Sequence, residues 1–314
     1  MKPIVTLTVN PAIDAFCLAD EVVPVRKVRT REEHYVPGGG GINVSRAVKE
    51  LGGETVAFYM AGGLTGQALE GMIERLGIAG VRVPIAEATR VSHLVHETST
   101  GQEYRFTPEG PEVTEAEWQH LLEVLSVIDA EYMIASGSLA RGMPVDFYAR
   151  VARMVKEHGG RMVVDTSGAP LHWALEEGVH IIKPSRRELE HLVGRKIAAP
   201  KDEEAMAAEV VRAGRAEIVV LTLGAQGVVV ATRDGVQRYE APKVDTKSPT
   251  GAGDAFTAGM IYGLVNGKPL DRAVMLGIAA GAATAAAPGT SLATKPAVDA
   301  VFAQVKAQAA RKTA

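Results

Sequence analysis

The segment Ser248-Pro249-Thr250-Gly251-Ala252-Gly253-Asp254-Ala255-Phe256 joins small residues, a carboxylate and the start of a helical pattern. Small residues that open a helix leave its first backbone N–H groups without intrahelical partners and pointing at one spot, which makes an anion site. Asp254 falls in that first turn. The helix dipole favours its ionised form there, so the residue is expected to stay a carboxylate near neutral pH. Amides that hold a phosphoryl group beside a carboxylate that takes a hydroxyl proton are what phosphoryl transfer to an alcohol requires. On these residues alone, the pattern equally describes an acid suited to the helix dipole after a glycine turn.

The run Gly38-Gly39-Gly40-Gly41 precedes a helical stretch from Asn43 to Leu51. Without side chains the backbone can approach a ligand closely, and Asn43 offers both a donor and an acceptor to a sugar hydroxyl. A flexible loop before a helix fits the same residues. Asp14 follows Asn10-Pro11-Ala12, just past the first apolar strand, at the sheet edge where α/β proteins collect ligands; a lone Asp there also reads as a turn residue. Two other phosphate motifs are missing. Gly267-Lys268 runs into Pro269, so no G-x-x-x-x-G-K-[ST] occurs, and the four glycines are followed by Ile42-Asn43 rather than completing G-x-G-x-x-G after the first strand.

These residues need a scaffold, and the chain's period supplies one. Short apolar runs at 4–9, 133–135, 161–165, 179–183 and 217–221 alternate with helical patterns near 144–157, up to Leu175, 185–192 and 202–212. That alternation predicts βαβ units and a mostly parallel sheet. Val228–Ala231 and Val236–Glu240, split by Arg233-Asp234-Gly235, read as an edge hairpin. Residues 15–36 and 91–106 carry β-type residues, several charges and few helix signals. They are expected to build a small separate sheet inserted twice, a lid over the site, although ordinary edge strands fit them too. The C-terminal part is helical at 251–265, 270–287 and 296–311. The expected class is therefore α/β, a doubly wound core flanked by helices with a small β lid.

Composition bounds the function. The 314 residues include 33 glycines and carry a formal net charge of −3. A chain without basic excess argues against nucleic acid or an anionic membrane as main partner. The single Cys17 allows neither an internal disulfide nor a multi-cysteine metal site. No apolar run reaches the roughly 20 residues of a membrane span. Met1-Lys2-Pro3-Ile4 enters the first strand without a signal-peptide layout, so a cytoplasmic location is expected.

Taken together, Gly38 to Asn43 early and Thr250 to Asp254 late resemble the two signatures of the ribokinase-like (PfkB) carbohydrate kinases. The resemblance covers nearly the whole chain. It extends to Asn10-Pro11-Ala12-Ile13-Asp14, Gly137-Ser138-Leu139, Val164-Asp165-Thr166-Ser167-Gly168, Lys183-Pro184 with Glu188, and Thr222-Leu223-Gly224-Ala225-Gln226-Gly227. Within the family, the glycine run and Tyr104-Arg105-Phe106 look most like the minor, ribokinase-type 6-phosphofructokinases.

The resemblance implies a ribokinase-like doubly wound fold over residues 1–314, with lid strands inserted at about 15–36 and 88–107. It implies Asp254 as catalytic base, with the amides of Gly251, Ala252 and Gly253 as anion hole. Asp14, Gly39, Gly40, Asn43 and Ser138 would hold the sugar. Arg90 and Arg105, with Arg29 as a third contact, would grip its phosphate, a match for the guanidinium fork. Lys183, Ser185, Glu188, Thr222, Gly224 and Gly227 would serve ATP, with Glu188 acting on Mg²⁺ through water. Thr246 and Ser248 lie on the same side, and a loop near Asp245, Thr246 and Gly289 matches a K⁺ site. Three departures stand out. Ser185 replaces the usual Asn three before the Glu, Ala140 replaces Pro in Gly-Ser-Leu-Pro, and Ser291 stands where the subgroup carries Arg.

The implied reaction is ATP-dependent phosphorylation of fructose 6-phosphate at its C1 hydroxyl. Fructose 1-phosphate or tagatose 6-phosphate as acceptor, and a non-catalytic sugar-phosphate sensor on the same fold, remain open on these residues. A homodimer through the lid is expected, because the family often pairs lids and because Val91, Leu94, Val95 and Phe106 suggest an apolar lid face.

Overall fold

Strand β1 (Ile4–Thr8) is buried along its whole length and is an inner strand of the core sheet. The computed structural model describes residues 3–313. The chain leaves β1 for two strands of a different sheet, β2 (Ala12–Ala19) and β3 (Thr30–Gly38), and returns through helix α1 (Gly40–Glu50). Strand β4 (Thr55–Gly62), helix α2 (Gly63–Arg75) and β5 (Ala79–Ile85) then build outward on one side of β1. A second excursion adds β6 (Arg90–Glu97) and β7 (Glu103–Phe106) to the other sheet.

After α3 (Glu115–Leu125) the chain crosses to the far side of β1. There follow β8 (Tyr132–Ser136), α4 (Phe147–Glu157), β9 (Arg161–Asp165), α5 (Gly168–Glu177), β10 (Val179–Ile182), α6 (Arg186–Val193), α7 (Pro200–Arg212), β11 (Ala216–Thr222), β12 (Val228–Thr232) and β13 (Gly235–Tyr239). Helices α8 (Ala252–Val265), α9 (Leu270–Ala285) and α10 (Lys295–Thr313) complete it.

The core sheet runs β13-β12-β11-β10-β9-β8-β1-β4-β5. It is parallel from β5 to β11, while β12 and β13 form the antiparallel edge. The winding direction reverses between β1 and β8, which opens a crevice at their carboxyl ends. Helices α3 to α7 cover one face, packing Trp118, Phe147, Leu175 and Met206 onto Leu7, Met133, Val164 and Val219. Helices α1, α8, α9 and α10 cover the other, with α2 beside them over β4. Three buried hydroxyls tie α1 to the sheet: Ser45 lies 2.8 Å from both Thr6 and Thr55. Among the described residues no helix is long and apolar enough to cross a membrane.

The second sheet runs β3-β2-β6-β7. Its register corrects the expected apolar face. Leu94 pairs with Arg105, whereas Val95 pairs with Tyr104 and His93 with Phe106. Since successive residues of a strand point to opposite faces, Leu94 lies on the cleft side and Val95 and Phe106 on the other, while Val91, paired with Ile13, packs against the core cluster around Ile42 and Leu69. Stretch 144–157 also differs, because Pro144 starts a turn whose carbonyl takes the Phe147 N–H (3.0 Å), and the helix begins at Phe147. Elements β4, α2, β5 and α3 lie where the sequence analysis assigned none.

Candidate active site

Helix α8 begins at a sharp turn. Gly251, its N-cap, takes φ 75°, a left-handed conformation that a side chain disfavours. The Ala252 N–H reaches the Pro249 carbonyl at 3.3 Å. The Gly251 and Gly253 N–H groups have no acceptor among the described residues. Of the three amides that the resemblance implied as an anion hole, only that of Ala252 is engaged, by the turn that opens the helix.

Asp254 follows in the first turn. Its Oδ2 accepts from Asn43 Nδ2 at 2.9 Å, while Oδ1 makes no hydrogen bond among the described residues. Burial first, and then the neighbouring Asp165, push its carboxyl up to about 7, with a smaller rise from Asp14; the Asn43 hydrogen bond and Lys183 oppose them. The expectation that the dipole alone keeps Asp254 ionised is therefore corrected. Loss of water and two other acids outweigh a half-charge at the helix end.

Lys183, buried after β10, pairs with Asp165 Oδ2 at 3.1 Å. Burial works against its charge, but Asp165 and then Asp254 outweigh that and hold its pKa above the ordinary lysine value. A Cβ on Gly253 would lie 3.3 Å from Lys183 Nζ, so the ammonium stands beside the free amides.

On the other side of Asp254 opens a cleft of about 220 Å³, lined by Asp14, Gly39, Asn43, Arg90, Arg105, Gly251 and Asp254 together with Ser92, His93, Leu94, Thr107, Thr250 and Thr290. Gly39 takes φ 109°, and a Cβ there would meet Thr8 Cγ2 at 2.6 Å, so the glycine run lies tight on the end of β1. Arg90 donates to three backbone carbonyls, Asn10 (2.8 Å), Pro108 (2.8 Å) and Pro11 (3.4 Å), which fastens the second sheet's connections to β1. Arg105 Nη2 donates to Thr250 Oγ1, and Ser248 Oγ lies 3.5 Å from Glu103 Oε2; strand β7 therefore rests on the turn before α8. Asp14 is raised by burial and lowered, in order, by Arg46, Arg105 and Arg90. The cleft thus sets the Arg90 and Arg105 guanidinium groups on its surface against Asp14 and Asp254, with Arg46 behind Asn43 adding a third positive charge near Asp14.

Other expected residues fall elsewhere. Arg29 lies exposed between β2 and β3 and is not among the residues lining the cleft. Gly40 and Ser138 are not among the residues lining the cleft: a Cβ on Gly40 would strike Ser136 Oγ, and exposed Ser138 stands 3.5 Å from Asn10 Nδ2. Ser185 caps α6. Its Oγ accepts from the Glu188 N–H (3.3 Å), and Glu188 Oε2 accepts from the Ser185 N–H (2.7 Å). Ser and Asn are both strong N-caps, so Ser185 keeps the cap that the usual Asn would give. Thr222 donates through N–H and Oγ to the Pro184 carbonyl, and Gly224 and Gly227 form the turn after β11. Thr246 is exposed and Ser248 buried.

Sequence reasoning missed Asp165 as a site residue and Arg46 altogether. Asp165 stood within a matched stretch, and Arg46 lies one helical turn after Asn43. A larger groove of about 550 Å³ between α5, α6 and α7 shares no residue with the cleft, and its charges are paired, Arg215 with Glu176 and Glu209 with Arg195.

Residues 7–297 match the family described as "pfkB family carbohydrate kinase". The chain is 40% identical over 304 residues to the ATP-dependent 6-phosphofructokinase isozyme 2 of Mycobacterium tuberculosis, covering 96% of this chain and 89% of that one. It is 28% identical over 283 residues to a 1-phosphofructokinase of Bacillus subtilis, covering 90% and 92%. Its fold is similar to phosphofructokinase-2 from Escherichia coli, solved in complex with potassium, with a TM-score of 0.94, 32% identity and coverage of 98% and 100%.

Proposed function

The chain belongs to the pfkB family of carbohydrate kinases and is a sugar-phosphate kinase; from that premise we propose that it transfers the γ-phosphoryl group of ATP to the C1 hydroxyl of fructose 6-phosphate. One observation carries the reading. A single cleft joins the open start of α8 and its carboxylate to Arg90, Arg105 and Asp14. The greater identity to a 6-phosphofructokinase than to a 1-phosphofructokinase supports the choice of acceptor.

In this mechanism the acceptor hydroxyl lies against Asp254 Oδ1, with Oδ2 held by Asn43. As the hydroxyl oxygen bonds to the γ-phosphorus, its proton passes to Asp254 and the bond from that phosphorus to the β–γ bridging oxygen breaks, releasing ADP. Charge on the moving group meets the Gly251 and Gly253 amides and the Lys183 ammonium, fixed donors that need no reorganisation. Arg90 and Arg105 take the acceptor's own phosphate, and Asp14 a sugar hydroxyl.

The donor set fits Mg²⁺ only as a water-rich ion carried by phosphates. Among the described residues no group of three acids, histidines or cysteines could hold a metal, and the capping box occupies one oxygen of Glu188. Glu188 is the residue that would reach it, through water, and when bound the ion neutralises phosphate charge. A K⁺ ion belongs near Asp245, the one acid of segments 243–249 and 286–292, which are joined where the Lys247 and Ser248 N–H groups meet the Ala285 carbonyl. We place the reaction in the cytoplasm.

The test is ADP release measured with fructose 6-phosphate, fructose 1-phosphate, tagatose 6-phosphate and free fructose. The proposal expects the highest kcat/KM for fructose 6-phosphate. A higher value for another sugar phosphate reassigns the acceptor, and no ADP release with any leaves a binding protein.

A further inference from the structure

We infer that Arg46 is a positioning residue for the reaction: it acts through Asn43 to fix which edge of that amide meets Asp254. The inference rests on the reading of Asp254 as the base.

Both residues lie on α1, one turn apart. Arg46 Nη1 donates to Asn43 Oδ1 at 3.0 Å and to the Pro37 carbonyl at 3.1 Å, and Nη2 reaches the Thr290 carbonyl at 3.5 Å. Asn43 Nδ2 in turn donates to Asp254 Oδ2 at 2.9 Å. The amide is therefore wedged between a guanidinium and a carboxyl group. The two edges of an Asn amide have nearly the same shape, and its terminal torsion is soft, so shape alone does not choose between them. Hydrogen bonding does. A guanidinium only donates, so it takes the carbonyl edge and turns the NH₂ edge to Asp254.

This choice matters because Asp254 exists in two forms. An ionised carboxylate only accepts and is served by the NH₂ edge. A protonated Asp254 has an O–H to give and would suit the carbonyl edge. With Arg46 in place a protonated Asp254 carries its O–H on Oδ1 and keeps the Asn43 hydrogen bond on Oδ2, but an ionised carboxylate accepts that bond more strongly, so the relay favours the form of Asp254 that accepts a proton. The other charges facing Asp254 are Asp165 and Asp14, which disfavour ionisation, and Lys183, which favours it. Arg46 itself faces Asp14, Asp254 and Glu50. Its anchors add precision. Pro37 lies at the end of strand β3 beside the glycine run and Thr290 lines the cleft, so one guanidinium ties Asn43 to two backbone segments of the site.

A double-mutant cycle tests the relay by kcat for ADP release with fructose 6-phosphate. Arg46→Met keeps most of the volume and removes the fork. It should lower kcat about 10- to 100-fold, the scale of a small misplacement in a positioning mechanism, with KM for ATP changed less than about threefold. Asn43→Ala should lower kcat at least as much. If Arg46 acts through Asn43, the double variant should fall within about threefold of Asn43→Ala alone. The acid limb of kcat/KM should move to higher pH in Arg46→Met but not further when Arg46→Met is added to Asn43→Ala.

Multiplying losses in the double variant, or a kcat for Arg46→Met within threefold of the parent, overturns the inference. Should Arg46→Met fail to fold by circular dichroism, Arg46→Lys, which keeps the charge but not the fork, takes its place in the cycle with the same non-additivity expected. Asp254→Asn, assayed alongside, tests the base reading separately. That reading falls if Asp254→Asn stays active, whereas the present inference falls if the cycle is additive while Asp254→Asn is inactive.

Discussion

Asp254 carries the account at the scale of single residues, and its environment gives it a pH signature. A carboxyl raised to about 7 in the folded chain, against 3.8 ordinarily, binds its proton more tightly when folded than when unfolded. Between those two values the folded state holds more protons, so this group's contribution to stability falls as pH rises from about 4 to about 7. Asp254→Asn cannot ionise. Its melting temperature without substrate should exceed the parent's at pH 8, and the gain should vanish near pH 4. A gain independent of pH would contradict the assigned burial cost. In catalysis the sign reverses, because the base must be ionised; kcat/KM should decline below an apparent pKa near 7.

Arg105 belongs to the same scale. Losing a charge-assisted hydrogen bond costs roughly 1.5–3 kcal/mol, so Arg105→Ala should raise KM for fructose 6-phosphate about 10- to 150-fold. KM for ATP should change much less, while activity on free fructose should not respond. Because Arg105 also donates to Thr250, equal increases in both KM values would show that it supports the α8 turn instead.

At the scale of elements, the start of α6 shows how a departure from a family pattern can leave the physics intact. Ser185 and Glu188 satisfy each other's backbone N–H groups. Ser185→Ala should lower the unfolding free energy by about 1 kcal/mol in urea melts, whereas Ser185→Asn should leave it nearly unchanged. Equal losses in both variants would mean that the cap is not what Ser185 contributes. The elements also show what sequence can and cannot reveal. Strands β9 and β10 and helices α8 and α9 were readable because a short, largely apolar strand or an Ala/Gly-rich helix has few alternatives. Helix α1 and the start of α8 were readable from glycines that only close backbone approach explains. Strands β4 and β5 and helices α2 and α3 were not assigned, and the start of α4 was displaced because Pro144 fits a turn as well as a first helical turn. Asn43 was legible as a polar group at the site, but not as the partner of Asp254, 211 positions away. The ionisation of Asp254 could not be read at all, since it depends on burial and on Asp165, which comes from strand β9, far away in the chain.

The whole molecule is a core sheet whose carboxyl edge holds the site and a second sheet whose β7 rests on the turn before α8. The outer side of that second sheet leaves Tyr35 and Phe106 more than half exposed, and strands with an exposed apolar side call for cover. We propose a homodimer through this side. Light scattering should give about twice the 33.1 kDa chain mass at micromolar concentration, and Phe106→Glu should bring it down to one chain. A mass of one chain for the parent protein would refute the pairing. The most direct test of the central claim, transfer to a sugar hydroxyl with Asp254 as base, is kcat of Asp254→Asn for ADP release with fructose 6-phosphate. The account predicts a fall of at least about 10²- to 10⁴-fold with unchanged circular dichroism, and a kcat within a few-fold of the parent's would contradict it.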